Sequence, residues 1–150
     1  MATDIPITET TLIIRRTVNA PRAKVFEAWT TPEQLKQWFA PNDTFLVPIA
    51  AVDLKVGGTY RIGMRPPDRE TLHTATGVYR EIKPPEKLVF TWSWEGEEPM
   101  DTLVTVEFRD LGNVTEIMLK HENFRDMETR NKHSEGWTGC LEQLGKILRG

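Results

Sequence analysis

The sequence predicts an α+β fold in which one curved antiparallel sheet of about seven strands wraps round a long C-terminal helix. Two observations lead to this prediction. From residue 44 to residue 122 the chain is a succession of β-type segments separated by short turns. From residue 126 to residue 148 the apolar residues instead recur every three or four positions, as on one face of a helix. A sheet closed over a helix can leave an apolar pocket between the two layers.

Two short helices are predicted between the first and second strands. The first strand covers residues 11–18 and alternates in character along its length. Pro21 suits the first position of a helix, because its missing N–H has no partner there in any case. A second helix is expected to follow Pro32, with Trp38 and Phe39 on its inner side. Both helices are too short to be stable alone, so we expect aromatic side chains to dock them on the sheet.

The β region supplies six further strands. Each contains β-branched or aromatic residues, and Gly or Pro interrupts the pattern between them. The predicted turns lie at Gly57-Gly58, Pro66-Pro67, Pro84-Pro85, residues 96–99 and residues 111–113. Successive strands joined by such short turns pair antiparallel, which predicts a meander.

The C-terminal helix is predicted to begin after Asp126, a good N-cap, and to end near Leu148. Its apolar stripe consists of Trp137, Cys140, Leu141, Leu144, Ile147 and Leu148. Gly136 and Gly139 each cost a helix about 1 kcal/mol relative to Ala. We therefore expect them to allow a close approach to the sheet or to a ligand, and Gly139→Leu to fill the pocket.

Size and charge limit the number of domains and the kinds of partner. At 150 residues we expect one domain over residues 1–150, with residues 1–9 as a loose lead-in. Nineteen Lys and Arg against 22 Asp and Glu give a net charge of −3, and no basic run could track phosphates. Nucleic acid is not an expected partner, and neither is a membrane span, which needs roughly 20 apolar residues. One cysteine, Cys140, and no leader-like start predict a cytoplasmic location.

Several segments also occur in the order and spacing of a known family. They are residues 16–21 (RTVNAP), 25–38 (VFEAWTTPEQLKQW), 53–60 (DLKVGGTY) and 77–92 (GVYREIKPPEKLVFTW), and Gly136-Trp137 with Leu141 and Leu144. From about residue 11 to residue 149 the chain resembles the AHSA1-like group of the START/Bet v 1-like (SRPBCC) superfamily, named after the activator of the Hsp90 ATPase. The resemblance implies a helix-grip fold with a cavity between sheet and helix.

The same resemblance implies several roles. Members of the superfamily are similar to lipid carriers, to plant proteins that bind hydrophobic ligands and to polyketide cyclases, so the fold alone does not select one activity. The family name also implies contact with the Hsp90 chaperone as a third role. Full Hsp90 activators carry an additional N-terminal domain that we do not expect here.

Aromatic residues are the principal candidates for the wall of the cavity. Phe90, Trp92 and Trp94 alternate along one strand, which places them on one face. They would give rigid apolar walls with two indole donors, although ordinary core packing explains them equally well. The predicted ligand-binding residues are Trp38, Phe39, Met64, Phe90, Trp92, Trp94, His121, His133, Trp137 and Leu141. We expect them to enclose at least about 300 Å³.

Two histidines carry the argument for an enzyme. His121 ends a predicted strand and His133 lies on the helix, so a neutral imidazole could move a proton near pH 7. The alternative is that each histidine only satisfies a hydrogen bond. His73, His121, His133 and Cys140 lack the close spacing of zinc ligands, so neither a metal nor a cofactor is expected.

The sequence is compatible with three alternative functions. The first is a binding module for a small hydrophobic molecule, lipid or polycyclic, without catalysis. The second is an enzyme of cyclase or dehydratase type that uses the same cavity. The third is a domain that contacts a chaperone. The first is favoured, since the sequence offers no close pair of acid and base.

Overall fold

A seven-stranded antiparallel sheet forms the centre of the fold. The structure is a computed structural model that describes residues 7–68 and 70–148. The strands are β1 (Leu12–Val18), β2 (Leu46–Val52), β3 (Thr59–Arg65), β4 (His73–Lys83), β5 (Lys87–Trp94), β6 (Thr102–Asp110) and β7 (Thr115–Glu122). Their order across the sheet is β1-β7-β6-β5-β4-β3-β2. Strands β2 to β7 thus lie side by side in sequence order, and β1 pairs with β7 at the edge opposite β2.

Four helices accompany the sheet. They are α1 (Ile7–Thr10), α2 (Arg22–Thr30), α3 (Pro32–Trp38) and α4 (Met127–Ile147). The two short helices α2 and α3 connect β1 to β2, and α3 packs against both β2 and α4. The curved sheet and α4 thus form the two layers of a helix-grip fold, as predicted. Among the described helices, none is both long and apolar enough to cross a bilayer.

The core lies between α4 and the concave face of the sheet. Along β7 every second residue is buried, beginning at Thr115 and ending at His121. The same alternation runs along the first seven residues of β6. From the helix, Trp137, Cys140, Leu141 and Leu144 are buried against this face. Two register shifts, one between β2 and β3 and one between β4 and β5, bend the sheet around the helix.

The start of α4 is capped as its sequence predicts. The carboxylate of Asp126 accepts a hydrogen bond from the backbone N–H of Thr129 at 2.7 Å, and this bond lowers the pKa of Asp126. The predicted helix over residues 126–148 agrees with Met127–Ile147 flanked by its two caps.

The predicted loose lead-in over residues 1–9 needs a correction. Residues 7–10 form the helical turn α1. The backbone N–H of Phe124 donates to the carbonyl oxygen of Thr10 at 3.0 Å, which ties the end of this turn to the loop before α4. Residues 1–6 lie outside the described part of the chain.

Candidate functional site

A cavity of about 440 Å³ lies between α4 and one end of the sheet. Five aromatic side chains contribute to its wall: Phe39, Phe45, Trp92, Trp94 and Trp137. Met64 from β3 and Cys140 from α4 add sulfur-bearing side chains to this apolar surface. The volume exceeds the predicted minimum of about 300 Å³, which is the lower end of the range for small-molecule sites.

The structure places six of the ten predicted site residues on this wall. These six are Phe39, Met64, Trp92, Trp94, His133 and Trp137. They come from the end of α3, from β3 and β5, and from α4, so four separate parts of the chain meet at one place. Whether they bind a ligand remains a prediction.

The other four predicted residues, Trp38, Phe90, His121 and Leu141, lie in the packed core and not on the wall. Trp38 is 1% exposed, and its indole N–H donates to the carbonyl oxygen of Ala28 at 3.0 Å, which joins α3 to α2. Leu141 is fully buried one helical turn beyond Trp137.

Phe90 shares a strand face with Trp92 but lies further from the open end of the fold. Its ring packs edge-on against Tyr60 and Tyr79, with ring centroids 5.4 and 6.2 Å apart. These three rings fill the sheet–helix space at that end. The alternation of residues along β5 therefore predicted correctly that Phe90 lies on the inner face of the sheet. It did not show how far the cavity extends along the strand.

Several residues of the wall were not among the ten predicted ligand-binding residues. Lys132 and Glu135 lie on the same helix as His133, and Lys132 lies one turn before Gly136, where the sequence already predicted a close approach to the sheet or to a ligand.

Pro41 follows α3 and His73 begins β4, and no pattern in the sequence indicates a cavity at either position. Phe45 lies directly before β2, and its two-residue spacing from Val47 and Ile49 places it on one face of the predicted strand, but this spacing does not show that it reaches the cavity.

The two helical glycines have different roles. A Cβ atom at Gly136 would meet no atom within 4 Å. A Cβ atom at Gly139 would lie 1.9 Å from the backbone oxygen of Pro41, so only glycine allows this contact between α4 and the loop after α3. The expectation that Gly139→Leu fills the pocket is thus wrong, and Gly136 is the position at which a side chain would enter the cavity.

His121 is locked in a buried hydrogen-bond chain behind the cavity. The indole N–H of Trp137 donates to Nδ1 of His121 at 3.0 Å. Nε2 therefore carries the proton and donates to the hydroxyl oxygen of Thr102 at 2.9 Å, and that hydroxyl donates to the backbone oxygen of Trp92 at 2.7 Å. Burial, followed by the nearby His133, lowers the pKa of His121 well below its ordinary value of 6.5.

His133 has a similar arrangement on the cavity wall. The indole N–H of Trp94 donates to its Nε2 at 3.1 Å. Nδ1 then carries the proton and donates to the backbone oxygen of Thr129 at 2.8 Å. Burial lowers the pKa of His133, against smaller opposing effects of the Thr129 carbonyl and Glu97. Both histidines are thus neutral near pH 7, and each has its single lone pair occupied by a tryptophan.

These arrangements leave neither His121 nor His133 free to act on a substrate. A general base must offer a lone pair to the reacting proton, and neither imidazole has one available. Burial raises the pKa of the Cys140 thiol to about 12, which keeps it protonated. Within residues 7–68 and 70–148, no group of three or more His, Cys, Asp or Glu side chains is placed to hold a metal ion.

A helix-grip domain with an aromatic cavity between sheet and terminal helix is the class of protein that this geometry defines. The family model described as Activator of Hsp90 ATPase homolog 1-like protein (AHSA1) matches residues 19–149, and the chain belongs to this family. No curated protein matches the chain.

Solved structures show the same fold. A crystal structure of a protein from Chromobacterium violaceum superposes with a TM-score of 0.85 at 24% identity, covering 94% of this chain and 98% of that one. An AHSA1 protein from Silicibacter pomeroyi gives a TM-score of 0.82 at 23% identity over 93% and 97% of the two chains. A protein from Rhizobium leguminosarum gives 0.75 at 28% identity over 93% of each chain.

Proposed function

We propose that the protein is a binding module that holds a small hydrophobic molecule in the cavity between the sheet and α4. The observation that carries this proposal is the space over Gly136, which is bounded by aromatic side chains. Protein interiors are ordinarily packed with few voids larger than a water molecule. A helix that keeps glycine facing a cavity of about 440 Å³ gives up both helix propensity and packing at the same place. A bound apolar molecule would restore the packing.

The hydrogen bonds of the site favour binding over the enzyme alternative. A cyclase or dehydratase needs a group that accepts or delivers a proton at the substrate. His121 and His133 were the predicted candidates for this role, and tryptophan N–H groups occupy the acceptor nitrogen of each. The same contacts suit a site that only holds its ligand.

The proposal is tested by titration with N-phenyl-1-naphthylamine, a neutral apolar dye whose emission rises in apolar surroundings. We expect saturable binding to the wild type and at least a tenfold weaker affinity in Gly136→Leu, whose side chain enters the cavity. Thr138→Leu is the matched control, because it adds the same side chain to an exposed position two residues further along α4 and should bind the dye normally.

Two results would contradict the proposal. One is no saturable dye response and no small molecule in native mass spectra of the purified protein. The other is equal dye affinity in Gly136→Leu and the wild type, which would place the dye elsewhere. Either result would leave contact with a chaperone or another protein as the better hypothesis.

A further inference from the structure

The three tryptophans on the cavity wall present no free N–H group to its interior. The N–H of Trp94 donates to His133 at 3.1 Å, and that of Trp137 donates to His121 at 3.0 Å. The N–H of Trp92 has no hydrogen-bond partner among the described residues, but its nitrogen is fully buried and does not reach the cavity surface. The ring of Trp137 lies 5.0 Å from it and that of Trp94 5.4 Å, measured between centroids.

The hydrogen-bond acceptor nitrogens of His121 and His133 are occupied as well. A neutral imidazole has one lone pair, and in both His121 and His133 it receives a tryptophan N–H. Their remaining N–H groups donate to the hydroxyl of Thr102 and the backbone oxygen of Thr129. The other polar side chains on the wall, His73, Lys132 and Glu135, are exposed and therefore lie at the opening.

We infer that, within the proposed binding function, His121 and His133 are specificity-determining residues that restrict the enclosed part of the ligand to hydrocarbon, with any polar group held at the opening. A carbonyl or hydroxyl group carried inside would leave its hydration shell without gaining a donor or acceptor. Such an unpaired polar group is strongly disfavoured in an apolar site. Ligands whose enclosed part is an aryl or alkyl group are accepted, and ligands that carry an oxygen atom in that enclosed part are rejected.

Fluorene and 9-fluorenone form a matched pair of probes, since they share a rigid tricyclic shape and differ in one CH₂ against one carbonyl. Displacement of N-phenyl-1-naphthylamine gives the affinity of each. The quantity compared between variants is the ratio of the two dissociation constants, because the hydration of the free ligands then cancels. In the wild type we expect fluorene to bind about tenfold or more tightly than 9-fluorenone.

His133→Ala removes the acceptor of the Trp94 N–H and opens the space that the imidazole occupied. The carbonyl of 9-fluorenone can then replace it, so the preference for fluorene should fall by about tenfold. His133→Gln is the control, because its amide oxygen can still accept from Trp94 and the preference should stay near that of the wild type. Adding Trp94→Phe to His133→Ala removes the donor and should bring the preference back.

The outcomes separate this inference from the proposed function. If neither the dye nor either probe binds the wild type, the proposed function fails and the inference fails with it. If both probes bind but their ratio is the same in the wild type and in folded His133→Ala, the inference is overturned and the binding function stands.

Trp94→Phe alone extends the test to the case in which His133→Ala does not fold, as judged by circular dichroism. The inference then requires that both affinities change together, because the N–H that is removed was already occupied. A selective loss of 9-fluorenone binding in Trp94→Phe would show that the wild-type N–H reaches the ligand and would overturn the inference.

Discussion

His121 and His133 lie with their ring centroids 5.3 Å apart between the sheet and α4. Each accepts from a tryptophan and donates to an oxygen, so the two residues hold Trp94 and Trp137 in fixed orientations. This arrangement requires neutral rings, because an imidazolium has two N–H donors and no lone pair. Protonation of each ring should therefore break its contact with the tryptophan.

We predict that the stability of the protein falls between about pH 7 and pH 5 because of these histidines. A pKa lowered from 6.5 in the folded chain means that the unfolded chain binds more protons over that range, so the free energy of unfolding rises with pH. The free energy of unfolding reaches its full value above the ordinary histidine pKa of 6.5. It decreases as the pH falls towards the lower pKa that each histidine has in the folded protein. Each histidine contributes up to about 1.4 kcal/mol per pH unit. Urea unfolding measured at several pH values gives the slope.

A matched pair of substitutions shows which histidines cause the change of stability with pH. His121→Gln keeps hydrogen-bonding groups near Trp137 and Thr102 but cannot titrate, so its slope should be smaller than that of the wild type. His133→Gln is the matched substitution at the second histidine and should also reduce the slope, since burial lowers the pKa of His133 as well. The pKa values of Glu81 and Glu95 are lowered from 4.5, so these carboxylates change the stability only below about pH 4.5, outside the range from pH 7 to pH 5. An equal slope in His121→Gln and the wild type would show that His121 is not the titrating group.

Helix α4 combines a tight contact and an open one within a single turn. At Gly139 the helix backbone touches the loop at Pro41, whereas at Gly136 it faces the cavity. The contact at Gly139 fixes the distance between α4 and the segment that carries Phe39 and Phe45. The helix is thus positioned by one glycine and leaves room for a ligand at the other.

Alanine at these two positions should have opposite effects on stability. Gly136→Ala removes a helix penalty without a clash and should raise the free energy of unfolding by up to about 1 kcal/mol. Gly139→Ala would place a Cβ atom 1.9 Å from the oxygen of Pro41, so backbone must move, and we expect a loss of about 1–3 kcal/mol. Chemical denaturation of both variants without ligand measures the difference. Equal changes of the same sign would show that Gly139 does not set the helix–loop contact.

The sequence predicted the type and order of the elements because each carries its own periodicity or turn residues. The seven strands and α2, α3 and α4 were confirmed, with ends that differ by a residue or two. The turn α1 was missed, since residues 7–10 have no apolar period. Its attachment depends on a backbone hydrogen bond from Phe124, which lies more than 100 residues further along the chain.

The site was predictable in kind but only partly in detail. Alternation placed Trp92 and Trp94 on the inner face, and the helical stripe placed Trp137 opposite them. Whether a buried aromatic residue borders a cavity or fills the core depends on what other segments bring to it, which is why Phe90 and Trp38 were misplaced. The pairing of each histidine with a tryptophan could not be read from the sequence, because it joins residues 39 and 16 positions apart.

At the scale of the whole molecule, the cavity is a junction of segments that are distant in sequence. The loop after α3, strands β3 and β5, and helix α4 each supply part of its wall. Local opening of any of them would expose the apolar surface of the others. A ligand that fills the space therefore contacts both layers of the fold and should stabilise them together.

We predict that N-phenyl-1-naphthylamine raises the stability of the entire fold, by about 2.7 kcal/mol at a free concentration 100 times its dissociation constant. Gly136→Leu should be as stable as the wild type or more so without the dye, because leucine favours the helix. At the same dye concentration it should gain at most about 1.4 kcal/mol, because its side chain occupies the cavity and weakens binding at least tenfold. Thr138→Leu should retain the full gain. Thermal unfolding with and without dye distinguishes these cases. A rise in melting temperature that is as large in Gly136→Leu as in the wild type would place the dye on another surface. A rise confined to part of the unfolding transition would mean that the cavity does not couple the sheet to α4.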